Sequence, residues 1–85
     1  MSDMQVEQRV RQYLVDSRKF YGSPETLTSD YRLIEKGVLD SVGIFEMLFF
    51  LESHYGVQIG DQDLIPDNFQ TLRAIAKLVA AKAGA

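Results

Sequence analysis

The chain has 85 residues, 46% of them apolar, with a formal net charge of −3, no cysteine and one histidine. That length makes one small domain with a modest core, and the missing cysteines exclude a disulfide framework, a His/Cys metal cluster and a cysteine nucleophile. The nine basic residues are scattered without a stripe of interleaved aromatics, which disfavours nucleic acid as a partner.

Val6, Val10, Leu14 and Ser17, with Tyr13 beside them, recur at helical spacing. They predict a first amphipathic helix from about residue 3 to 19, with Ser2 and Asp3 as cap candidates. A long connection follows from about 20 to 40. Leu27, Tyr31, Leu33, Ile34, Val38 and Leu39 give it apolar anchors, so it is expected to lie pinned across the helices, with a short helical turn near 28–34. The second helix is expected from Ser41 to Tyr55, ending at Gly56. A short helical turn at Asp61–Ile65 and a chain turn at Pro66-Asp67-Asn68 come next. Thr71 then caps a last helix reaching about Ala83, with Leu72, Ile75, Ala76 and Val79 on one face. The fold class is all-α: a four-helix bundle of three longer helices and one short, with a long ordered first loop. The longest apolar run is far short of a membrane span. The polar, acidic start carries no secretory signal, so a cytoplasmic location is expected.

The second helix has a surplus of apolar residues. Ile44, Leu48, Leu51 and Tyr55, flanked by Met47, make one stripe for the core. Val42, Phe45 and Phe49 make another, with Glu46 and Glu52 as helical neighbours and Phe50 between the two stripes. Either the second stripe packs beneath the long loop, or it stays exposed as a docking surface rimmed by the two acids; the polar rim favours docking.

Ser41 can be read as an N-cap, serine being among the best caps. Two details sit badly with that reading. A capping box would place Glu or Gln at 44, where Ile44 stands, and Gly43 costs about 1 kcal/mol against alanine inside a helix. A nucleophile is excluded by distance: His54 lies thirteen residues along the same helix, about 20 Å away at 1.5 Å per residue, and no other base is evident. His54 is expected at the surface near the helix end.

The segments G-V-L-D-S-V, F-E-M-L-F-F-L-E-S-H-Y-G-V-Q-I, D-L-I-P-D-N-F and T-L-R-A-I-A-K-L-V together resemble the acyl carrier protein family. The resemblance spans nearly the whole chain and makes residues 1–85 a single carrier domain. It implies that Ser41, preceded by Asp40, carries 4′-phosphopantetheine, added from coenzyme A by a phosphopantetheinyl transferase. The thiol of that arm would hold acyl or aminoacyl groups as thioesters for a loading ligase and for downstream transferases or synthases. The carrier itself would catalyse nothing, and a monomer is expected. The resemblance also gives Val42, Phe45, Glu46, Phe49 and Glu52 a shared role in partner recognition. The wording L-I-E-K-G-V-L-D-S-V-G is more similar to D-alanine carriers and other stand-alone carriers than to those of primary fatty-acid synthesis. Those typically read Asp-Ser-Leu before a strongly acidic helix. A housekeeping fatty-acid carrier, or an unmodified helical interaction module, are the alternatives.

Overall fold

A computed structural model describes residues 2–84 as four α-helices, with no strand among the described residues. They are α1 (Asp3–Asp16), α2 (Ser41–Tyr55), the short α3 (Pro66–Phe69) and α4 (Leu72–Ala83). The all-α bundle of three longer helices and one short is the observed architecture. None of the helices is long and apolar enough to cross a membrane.

Ser2 starts α1 with a full capping box: its hydroxyl accepts the Gln5 N–H, and the Gln5 side chain accepts the Ser2 N–H. The helix ends at Asp16, three residues earlier than its periodicity suggests, because Arg18 turns left-handed at φ 61°. Its N–H bonds to Val15 O and the Lys19 N–H to Leu14 O, the two bonds of a Schellman turn with arginine at the position glycine usually fills. Ser17, assigned to the core stripe from sequence, is instead the exposed C-cap, its hydroxyl donating to Tyr13 O at 2.7 Å. A left-handed L-residue costs about 1–2 kcal/mol and glycine forfeits about 0.5–1 kcal/mol in chain entropy. Arg18→Gly is therefore expected to leave stability unchanged or raise it by up to about 1 kcal/mol, measured by urea unfolding.

The long connection is ordered and pinned, as its apolar anchors imply. Leu27, Leu33 and Leu39 are fully buried, and Tyr31, Ile34 and Val38 pack against them. Polar clamps hold the backbone between these anchors. Arg11 donates to Leu27 O, and Gln70 accepts the Leu33 N–H on its carbonyl and the Ile34 and Glu35 N–H groups on its side chain. The short helical turn falls at Pro24–Thr26 and not at 28–34, because a proline at the first helical position has its φ already set. The same rule corrects the later segment. Pro66 opens the short helix Pro66–Phe69, while Asp61–Asp63 forms only a single tighter 3₁₀ turn. Phe69, which the periodicity does not single out, is completely buried.

The core gathers Val6, Val10 and Leu14 of α1, the loop leucines, and Leu72, Ile75, Ala76, Leu78 and Val79 of α4. Met47, Leu48 and Leu51 enter it from α2. The inward stripe of α2 is thus centred on Met47. Ile44 and Tyr55 lie half-buried at its edges. Phe50 fills the seam towards α1, stacked on Tyr13 with ring centres 4.3 Å apart.

Candidate functional site

The first turn of α2 is capped by Asp40 and not by Ser41. Asp40 is extended at φ −114°, ψ −171°, and its Oδ1 accepts the Gly43 N–H at 2.7 Å. Serine and aspartate rank together as caps, so composition could not choose between them; the backbone of residue 40 does. Ser41 becomes the first helical residue. It is exposed, and the capping bond leaves its hydroxyl with no part in closing the helix end.

The shift of one residue also accounts for Gly43. It is buried, and a Cβ there would meet Asp40 Oδ1 at 3.2 Å and Leu39 Cδ2 at 3.4 Å. Glycine lets the capping carboxylate and the Leu39 side chain close over the first turn. The unusual residue serves the cap, which fixes where the Ser41 backbone stands.

Val42, Phe45 and Phe49 stand open at 66%, 52% and 64% exposure. They recur three and four residues apart, so they line one side of α2. The reading in which these rings pack beneath the loop is excluded by those exposures. Ser41 begins the same outer surface.

The two rim acids are already engaged. Glu46 receives an ion pair from Lys19, Nζ to Oε1 2.5 Å, and the hydrogen bond raises the Lys19 ammonium above its ordinary pKa against a smaller loss from burial. Glu52 is half-buried, and its Oε2 accepts the Ile59 N–H at 3.0 Å, tying α2 to the chain beyond Gly56. Lys19 is the residue that sequence reasoning missed. It reaches Glu46 across 27 positions, and no local spacing signals such a pair. It can do so because the left-handed turn at Arg18 carries the chain from the end of α1 towards α2.

His54 is exposed and stacks on Phe50, ring centres 5.6 Å apart, with Tyr55 edge-on at 4.7 Å. Its place is the far end of α2 from Ser41. A surface cleft of about 730 Å³ lies at that same end, lined by Met4, Arg9, Gln12, His54 and Tyr55 among others, and it does not include Ser41.

No family model matches the chain. A protein of Serratia sp. (strain ATCC 39006) described as probable acyl carrier protein PigG is 36% identical over 58 residues, which is 68% of this chain and 67% of that protein. Likeness of that degree over two thirds of both chains, in an all-helical bundle with an exposed serine opening α2, shows that this chain belongs to the acyl carrier protein family.

Proposed function

We propose that the chain is a discrete carrier that holds acyl or aminoacyl groups on a 4′-phosphopantetheine arm attached to Ser41. The observation that carries this reading is the division of labour at the start of α2. Asp40 closes the helix, so the Ser41 hydroxyl is exposed on a fixed first turn and free to take a covalent group. An accessible hydroxyl on rigid backbone fits such an attachment. When attached, the arm supplies the thiol that this cysteine-free chain lacks and forms the thioester with the cargo. The chain's own residues position Ser41 and present the α2 face; the transfers belong to the transferase, the loading ligase and the downstream transferases or synthases.

The aromatic face favours a dedicated acyl- or aminoacyl-transferring pathway over housekeeping fatty-acid synthesis. An unmodified helical interaction module is the second reading, favoured only by the breadth of that same face. Incubation with coenzyme A and a promiscuous phosphopantetheinyl transferase separates them by intact mass. A gain of one phosphopantetheine is expected, and no gain would remove the carrier reading.

Asp40 has a second role in this reading, since its charge lies one residue from the acceptor hydroxyl. Asp40→Asn keeps a side chain able to cap, whereas Asp40→Ala loses the cap at about 1 kcal/mol. Both are expected to slow modification of Ser41 severalfold in transferase kinetics. Unchanged rates in both would confine Asp40 to capping.

A further inference from the structure

The side of α2 that carries Val42, Phe45 and Phe49 has two acids along its borders. Glu46 lies four residues after Val42 and three before Phe49, and Glu52 lies three after Phe49, so both are surface neighbours of the stripe. Each has a partner within the chain. Glu46 is held by Lys19, whose side chain is only 20% exposed while that of Glu46 is 51% exposed. Glu52 accepts a backbone N–H from Ile59. A third acid, Asp40, is turned onto the Gly43 N–H at the helix end.

We propose that the Lys19–Glu46 ion pair takes the acid out of the α2 docking face, so that this face fits an apolar socket on a partner enzyme and not a basic patch. The inference rests on the carrier reading above and adds the chemistry of the partner surface to it. Charge complementarity carries the argument. A basic patch set against this side of α2 would face the Lys19 ammonium and would have to break its pair with Glu46, whereas an apolar socket needs only to cover the three exposed side chains. Lys19 then acts as a specificity-determining residue: it disfavours partners that search for acids.

The test is the salt dependence of modification by a promiscuous phosphopantetheinyl transferase with coenzyme A, read as kcat/KM. Surface charge attraction weakens steeply as the screening length shrinks from more than 10 Å to a few ångströms. Between about 50 and 500 mM NaCl, kcat/KM of the wild type is expected to change less than about twofold. Lys19→Met leaves the Glu46 carboxylate unpaired where an apolar surface must cover it and is expected to lower kcat/KM at least about fivefold at every salt concentration, while Lys19→Arg restores the wild-type value. A wild-type loss of about tenfold or more with salt, or a kcat/KM for Lys19→Met equal to or above that of the wild type, overturns the inference. Should Lys19→Met fail to fold, the wild-type profile still decides. Absence of modification at every salt concentration removes the carrier reading and this inference with it; efficient but steeply salt-dependent modification removes the inference alone.

Discussion

Ser41→Ala is expected to abolish uptake of phosphopantetheine and leave the fold as stable as before. Ser41 is exposed at the first helical position, and the cap is formed by its neighbour, so truncation removes no bond that closes the helix. Exposed substitutions away from special features stay within about 0.5 kcal/mol, a shift in Tm of roughly 2–4 °C for a domain of this size. Asp40→Ala should do the reverse. It removes the bond to Gly43 N at 2.7 Å and should lower stability by about 1 kcal/mol, while a mass gain, slower to appear, is retained. The crossed pattern separates a cap from an anchor, which no single variant can do. Intact mass after transferase treatment, together with thermal unfolding of both variants, checks it. A mass gain that survives Ser41→Ala would move the attachment elsewhere. A loss of more than about 1 kcal/mol in Ser41→Ala would return the hydroxyl to the helix end.

The surplus stripe on α2 was legible in the sequence because helical period is a strong signal and a short chain offers few elements to cover a helix on all sides. The buried face of α4 was legible for the same reason. What could not be read is whatever depends on one residue's backbone or on distant partners. Asp40 and Ser41 are equivalent caps by composition, and only the extended backbone of residue 40 separates them. The end of α1 was overestimated because nothing in Ser17-Arg18-Lys19 signals a left-handed arginine. Pro66 can open a turn or a helix, and the burial of Phe69 beneath α4 goes with the helix. The engagement of the rim acids was the largest omission. Composition sees two exposed glutamates beside aromatics, whereas the fold brings Lys19 to one and the Ile59 N–H to the other.

Phe49→Ala is expected to lower kcat/KM of the enzyme that charges the carrier by about tenfold or more, with Phe45→Ala close behind, since aromatic anchors at an interface are each worth roughly 1–2 kcal/mol or more. Neither should lower folding stability by more than about 1 kcal/mol, because rings at 64% and 52% exposure contribute little burial to the free chain. Phe69→Ala provides the comparison within the same molecule. That ring is completely buried between the short helix and the core, so its loss should cost about 3–5 kcal/mol, with loading impaired only through unfolding. If Phe49→Ala were to destabilise the chain as Phe69→Ala does, the ring would belong to the core and the docking face would shrink to Val42 and Phe45. If stability held and loading were unchanged, the partner would approach from another side. The chemistry predicts neither outcome. An aromatic side chain left in water gains its largest stabilisation when a partner covers it, and that gain is available only in the complex.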